Sequence, residues 1–561
     1  MSRSNPDPHI APEEWRWVIL ASGLLAALTL LPYAGALASN AGTTEAQFMG
    51  LLANPTDGMS YLAKMEQGYR GEWLFHLPYT PEPHDGAAIN LFYLFLGHVA
   101  RITGLSLLLV YHLARVAAGL FMYCALYQFG ATVWTRLRPR RLFFGLTAVA
   151  SGLGWLIIAL DQGAIDPQAN RLLPDLNMPE AFPLYSLYAN PHFPLSIGLL
   201  ALVGSIYVGV FRPGYREEPT LYNQGLILAL ASVVLSIAQP QALVPLAVAL
   251  AAYLVVRLVR THRAPLYEAS WCVPLWFPAA PFLAYYFAIT QVNPAMAAWN
   301  AQNVTPSPPL QYYLAAFGPL LVVALPGLGR AVRRFEPYGD QFMLTWLLVN
   351  AVLLYVPINL QRRLVIGLII PIVYFAVRAL EDYWSNVISG RLWRPALMAL
   401  FVIVLPSNLF ALVVPLVGAV FSPERGLEAN LLIENDYRDM LQWVHDSVPL
   451  QTDRHPTVFV ASPDVSLFIP PWGGPRVVYG HPYETINAAW KRTTVLDWYD
   501  GEDCERLLNG AWWQGQSWQV DYVVLGPRER ALGESDHADA CYADLGEPLM
   551  TFGDVAVYKV R

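Results

Sequence analysis

Long apolar runs alternate with short polar connections through the first three quarters of the chain, and the alternation stops near residue 430. A helix that crosses a bilayer needs about 20 largely apolar residues. Segments of that kind lie at 17–38, 106–134, 142–160, 191–211, 225–239, 241–259, 271–290, 312–330, 342–358, 364–380 and 395–421. Several are short, and 225–259 reads as a hairpin broken at Gln239-Pro240-Gln241. The pattern predicts a multi-pass α-helical membrane domain over residues 1–429 with about eleven spans. The first run follows a polar tail with Arg3 and Arg16 and is too long for a signal-peptide core, so it reads as a retained anchor. Residues 89–103 are apolar but short and carry His98 and Arg101, and they read as an interfacial or re-entrant helix.

Basic loops stay in the cytoplasm. Arg136, Arg138, Arg140 and Arg141 fill one connection, Arg212 and Arg216 a second, and Arg257, Arg260 and Arg263 a third. Arg330, Arg333 and Arg334 fill a fourth, and Arg391 with Arg394 precedes the last span. All fall on one side if 89–103 does not cross, which predicts a cytoplasmic N-terminus and an extracytoplasmic C-terminal region in a cell membrane. The outer side then receives residues 39–105, acidic through Asp57, Glu66, Glu72, Glu82 and Asp85, and a second loop with Asp161, Asp166, Asp175 and Glu180.

From 430 to 561 the pattern becomes that of a soluble α/β domain. Residues 434–447, 483–496 and 502–510 have helical period, while 457–462 and 520–526 read as buried strands. The chain ends in two short strands around Gly553-Asp554, a hairpin signal. No glycine-rich phosphate loop, metal-ligand spacing or nucleophile elbow occurs there, so the domain reads as a lid or recognition module.

Composition agrees with the pattern. Charged residues make up 14% of the chain, against about 25% in soluble proteins, so many segments face something other than water. A net charge of −7 argues against nucleic acid as partner. The four cysteines are too few for a disulfide framework. Cys504 and Cys541 either pair in an oxidising compartment or remain two solitary thiols, and the sequence leaves both open.

The strongest local signal is residues 54–86, where Asp57 precedes a Tyr- and Trp-rich stretch and a Pro-Glu-Pro-His-Asp cluster. A carboxylate held there can accept a proton from a substrate hydroxyl, steady a positive transition state or hold a divalent cation. The plainer alternative is that Asp57 caps a helix beginning at Gly58.

Asp57, Tyr61 four residues on, the apolar stretch NLFYLFLGHVARITGLS and Arg115 in the next span together resemble the GT-C glycosyltransferases. These are multi-pass enzymes that use a polyprenyl-phosphate-linked sugar, and the aminoarabinose and protein mannosyltransferases belong to them. The resemblance implies that Asp57 sits at the acceptor and that transfer inverts the anomeric centre. His84 and Asp85 have no firm counterpart in the family and are assigned as supporting groups because they share the loop. The chain has Asp57-Gly58 where protein mannosyltransferases have Asp-Glu. It also lacks the Trp-Trp-Asp motif of oligosaccharyltransferases, which speaks against a peptide asparagine as acceptor.

A lipid-phosphate leaving group calls for cations. Arg362 and Arg363 lie at an outer turn where the basic-loop rule would not put them, and a bidentate phosphate partner explains them as well as snorkelling to headgroups does. Arg115, charged within a span, is functional by default or pairs with an acidic loop. Weaker substrate-binding candidates are Tyr61, His192 at the outer start of a span, Gln239 at the broken hairpin, and His481, which with Glu484 belongs to the tail. The expected partners are a polyprenyl-phosphate sugar, a lipid or glycan acceptor and membrane lipids. The sequence fixes no cofactor; a divalent cation on Asp57 and Asp85 stays open, since no ligand spacing demands it. The rival readings are a transporter or flippase of a lipid-linked or anionic solute, which predicts inverted repeats and paired broken helices, and a non-catalytic scaffold.

Overall fold

The computed structural model describes residues 10–40, 45–161, 172–212, 221–336, 339–450, 456–502, 504–508, 518–533 and 538–560. Arg3, Asp166, Arg216 and the side chain of Asp161 lie outside the described residues. The protein is a mostly helical, multi-pass membrane protein. Among the described residues eight helices are long and apolar enough to cross a bilayer, and the pair Leu137–Val149 and Gly154–Leu160, bent by 46°, makes up to nine. Segments 225–239 and 342–358 form the shorter apolar helices Asn223–Ala238 and Asp340–Leu353, so fewer than eleven helices have spanning length. Residues 89–103 form the helix Leu91–Thr103. At about 1.5 Å per residue it falls well short of a hydrocarbon core about 30 Å thick.

The chain divides into two compact units. The first, 1–32 with 113–284 and 305–414, is a helix bundle. Small residues set its closest contacts. A Cβ on Gly327 would lie 2.5 Å from the Phe375 carbonyl oxygen, and one on Gly198 would lie 2.8 Å from the Cα of Met122. Such close approach is what glycine provides between helices in lipid, where no hydrophobic force drives them together. The bend after Val149 frees backbone groups that must be satisfied inside the protein. Asp175 Oδ2 accepts from Gly154 N at 2.8 Å and Gly152 N at 3.1 Å, the Ser151 hydroxyl donates to Val404 O, and Ser407 Oγ accepts from Trp155 N. Asp175 of the second acidic loop is therefore part of the bend, fully buried.

The second unit gathers 33–112, 285–304 and 415–561. Two short strands tie the first loop to the tail: β1 (Ala46–Phe48) pairs antiparallel with β2 (Leu432–Glu434), Gln47 opposite Ile433. The tail carries a five-stranded sheet in the order β4-β3-β5-β7-β6. Here β3 is Val458–Val460, β4 Arg476–Val477, β5 Tyr522–Leu525, β6 Met550–Phe552 and β7 Val555–Lys559. The first three are parallel, and β7 and β6 add antiparallel as the hairpin around Gly553, whose φ of +55° is the left-handed conformation glycine tolerates. Helix Asn435–Ser447 covers the sheet through Tyr437, Met440, Leu441 and Val444, all buried. Cys504 and Cys541 form a disulfide.

Two glycines place the first loop. Helices Pro55–Arg70 and Leu91–Thr103 cross so closely that a Cβ on Gly68 would lie 2.0 Å from Leu94 O, and one on Gly97 1.9 Å from Met65 O. The short apolar helix thus serves as the support on which the Asp57-bearing helix rests.

Candidate functional site

Helix Pro55–Arg70 starts three residues earlier than the capping alternative requires. Asn54 occupies the cap position with φ 48°, Pro55 pre-sets the first turn, and Asp57 is the third helical residue rather than the cap. Its carboxylate lies at the positive end of the helix dipole. Asn54 Nδ2 donates to Asp57 Oδ2 at 2.6 Å.

Asp57, Ser60 and Lys64 are spaced to share one helix face. Against that face lies the loop Gly480–Thr485 of the tail. Thr485 Oγ1 accepts from the Gly480 and His481 N–H groups, while His481 Nδ1 accepts from the N–H groups of Tyr483 and Glu484. With Nδ1 an acceptor, the hydrogen-bond network assigns the ring proton to Nε2, which faces Asp57 Oδ1 at 3.4 Å. The Asp57 side chain is 36% exposed and that of His481 2%, so the carboxylate is the member of the pair a substrate can touch. Glu484 accepts from the Ser60 hydroxyl at 2.7 Å and pairs with the Lys64 ammonium, which also donates to Ser60 Oγ at 2.8 Å. Burial raises the Glu484 pKa, but the Lys64 charge and the hydrogen bonds from Lys64 and Ser60 work against it, and the carboxyl stays below its ordinary value. Tyr61 stacks on Tyr93 at 4.3 Å and 8°, and Lys64 lies 4.9 Å from the Tyr61 ring centre.

His84 and Asp85 sit elsewhere in the same loop. His84 Nε2 accepts from Leu77 N at 2.9 Å and its Nδ1 contacts Glu82 O at 2.7 Å. Burial, then the neighbouring Arg476 guanidinium, push its pKa well below the ordinary value, so the ring is neutral near pH 7. The Asp85 carbonyl accepts from Asn293 Nδ2 and its side chain is exposed. Beside them the buried pair Lys491–Glu82 joins loop to tail, with Lys491 Nζ also donating to Thr80 Oγ1 at 2.8 Å. Lys491 is lowered to about 8 by burial, which Glu82 only partly offsets.

The remaining sequence-derived residues lie in the helix bundle and fall in two groups. Arg362 and Arg363 begin the turn Arg362–Val365, anchored where Arg362 N donates to Thr305 O at 3.1 Å. The turn Pro240–Ala242 packs on it, and so does Pro179–Ala181, which also contacts the helix that His192 begins. Gln239, directly before the first of these turns, is buried with neither side-chain polar atom hydrogen-bonded among the described residues. Arg115, fully buried, donates through Nη1 to Leu187 O at 2.8 Å and Tyr188 O at 2.9 Å. These are last-turn carbonyls of helix Pro183–Ala189, a natural seat for a cation.

Sequence reasoning passed over Ser60 and Lys64. Their signal was the polar spacing from Asp57 and a lysine on a face whose neighbours Met59, Leu62, Ala63 and Met65 are all buried. Among the described residues no group of three or more His, Cys, Asp or Glu side chains gathers to hold a metal.

The architecture defines a class: a polytopic membrane helix bundle with an α/β unit that closes over a carboxylate-bearing first loop. No family model and no curated protein matches the sequence. Solved structures do match the fold. The apo oligosaccharyltransferase of Archaeoglobus fulgidus aligns with a TM-score of 0.50 at 12% identity, covering 90% of this chain and 69% of that one. The same protein with Zn and sulfate gives 0.49 at 13% identity over 92% and 70%. ArnT from Cupriavidus metallidurans bound to undecaprenyl phosphate gives 0.49 at 14% identity over 98% and 99%. The chain has a GT-C-like membrane fold, shared with the apo oligosaccharyltransferase.

Proposed function

We propose that the protein is a membrane glycosyltransferase that moves a sugar from a polyprenyl phosphate to a lipid or glycan acceptor on the extracytoplasmic side of the cell membrane. The observation that carries the reading is Asp57: a partly exposed carboxylate in the first turn of helix Pro55–Arg70, hydrogen-bonded by Asn54 on one oxygen and facing His481 with the other. The GT-C-like fold and the Cys504–Cys541 disulfide, which belongs to an oxidising compartment, support it.

In this reading the acceptor hydroxyl oxygen attacks the anomeric carbon and passes its proton to Asp57. The bond from that carbon to the phosphate oxygen breaks, and its electron pair leaves with the polyprenyl phosphate. Arg362 and Arg363 neutralise the departing phosphate, with Gln239 and His192 as polar neighbours on the donor side, and Arg115 holds the Pro183–Ala189 helix in place. Tyr61 and His481 bind on the acceptor side, while His84 and Asp85 support the loop.

Transport would call for paired broken helices whose freed backbone lines a cavity. The bend at Ala150–Leu153 is instead closed by Asp175 and Ser407, which favours a structural kink.

The test is transfer by the purified protein in lipid nanodiscs from a panel of radiolabelled polyprenyl-phosphate sugars to membrane-extract acceptors. Asp57→Asn keeps the shape and removes the charge. Loss of a general base is expected to slow transfer by about 10²–10⁴-fold with donor binding retained. Equal transfer by both proteins overturns the role of Asp57.

A further inference from the structure

In the parallel part of the sheet the chain leaves β3 to one side for β4 and to the other for β5. The crevice beyond the carboxyl ends of strands at such a switch point is where open α/β sheets bind ligands. A cavity of about 460 Å³ occupies it, inside the range of about 300–1,000 Å³ typical of small-molecule sites. Ser462 and Asp464 reach it from the end of β3, Tyr479 from the end of β4 and Arg528 from the end of β5. Arg492 of helix Ala488–Tyr499 and Thr56, the residue before Asp57, close its sides.

The crevice is built rather than incidental. Glu529, fully buried, accepts from Ser462 N at 2.8 Å, Gly526 N at 3.0 Å and the Tyr437 hydroxyl at 2.6 Å, so one carboxylate fixes the ends of β3 and β5 together. Ser462 is among the lining residues, is 3% exposed, and its hydroxyl has no hydrogen-bond partner among the described residues.

Charge selects the ligand. Arg528 is bound to Glu434 by Nε at 3.0 Å and Nη2 at 2.8 Å, which neutralises it. Glu428, Asp464 and Arg492 remain, two carboxylates to one guanidinium, a balance that repels a phosphate or any polyanion. The floor is apolar through Leu467, Leu496 and the Tyr479 ring. The two carboxylates, the Asn430 amide and the Arg492 guanidinium around an apolar floor fit a sugar ring, whose hydroxyls both donate and accept.

We propose that this cavity is the acceptor subsite and that it binds a neutral sugar unit, an assignment that rests on the glycosyltransferase reading because Thr56 and Pro482 place the cavity next to Asp57 and His481. The test is equilibrium binding to the full-length protein in nanodiscs. The probes are maltotriose, mannotriose, chitotriose, inorganic phosphate and a short Asn-containing peptide, with undecaprenyl phosphate measured separately. Wild type is expected to bind at least one trisaccharide, and Ser462→Phe and Arg492→Ala are each expected to weaken it about tenfold or more. Arg492 is exposed, so its variant reports on binding even if Ser462→Phe fails to fold. Phosphate or peptide bound in preference to every trisaccharide overturns the proposal, as does trisaccharide binding that neither variant changes. Failure to bind undecaprenyl phosphate would strike the glycosyltransferase reading instead, with sugar binding still deciding the cavity.

Discussion

Deleting the Glu484 carboxylate tests how the tail holds the Asp57 helix. Lys64 and Glu484 have side chains 3% and 9% exposed, and they meet across 420 residues of sequence. Glu484→Ala strands the Lys64 ammonium with Ser60 Oγ at 2.8 Å and the rings of Tyr61 and Phe75. Removing one partner of a buried pair costs about 3–5 kcal/mol because the other charge stays desolvated. The aromatic faces return about 0.5–2 kcal/mol, but they are present in wild type as well and do not reduce the difference. Replacing both partners with apolar groups, Lys64→Met with Glu484→Leu, removes both desolvation terms and is near neutral. Singles are therefore expected to lower the opening free energy of the Gly480–Thr485 loop and the Pro55–Arg70 helix, and the double variant to restore most of it. Native-state hydrogen exchange read by mass spectrometry on those two segments measures this directly.

The pH dependence follows from the same pair. The folded pKa of Glu484 lies below its unfolded value, so the pair's contribution is complete above the ordinary glutamate range of about 4.3 and disappears as pH falls through the lower folded value. The double variant should lack that acid limb. A loss below about 1 kcal/mol in Glu484→Ala, the range of an exposed ion pair, would refute the argument that the pair is dry.

Gly97→Val would drive side-chain atoms into Met65 O and is expected to cost at least about 1–3 kcal/mol, read as faster exchange in both crossing helices. Lys491, lowered to about 8 against an unfolded value of about 10.4, is neutral in the folded protein and charged in the unfolded one between those limits. Stability is thus expected to rise with pH across that window, and Lys491→Met to flatten the rise in thermal unfolding scans. Cys541→Ser opens a loop with a sequence separation of 37 and is expected to cost about 3–4 kcal/mol, seen as earlier proteolysis of the tail.

Apolar length made the spanning helices legible, because lipid forces every backbone group into helical bonds and leaves little choice of structure. Their interruptions were harder to read. The bend at Ala150–Leu153 falls inside a segment read as continuous, although Ser151-Gly152-Leu153-Gly154 carries the glycines that allow it. In the tail β3, β5, β6 and β7 form where apolar or alternating runs placed strands, whereas β4 has two residues and no readable period. Strands β1 and β2 were invisible for a different reason. Each is three residues long and exists only because the other is there, with Ala46 opposite Glu434. At the site, Asp57 stood out by type and context, but its place in the first turn depended on Asn54 adopting φ > 0, which composition does not announce.

The contacts that complete the site could not be read locally, yet they were constrained. A helix face that buries Lys64 among apolar neighbours requires a carboxylate from somewhere, since an unpaired buried ammonium costs more than the helix gains. The tail supplies Glu484, and the loop that carries it is stiffened by Thr485 and by His481 Nδ1, so His481 Nε2 arrives at Asp57 as a consequence of the same fold. Thr56 and Pro482, one residue from Asp57 and from His481, line the switch-point cavity. Pairing, orientation of the carboxylate and the shape of the cavity are therefore set together by one loop. That is why the Glu484 variants, which touch neither Asp57 nor the cavity wall, are expected to disturb both.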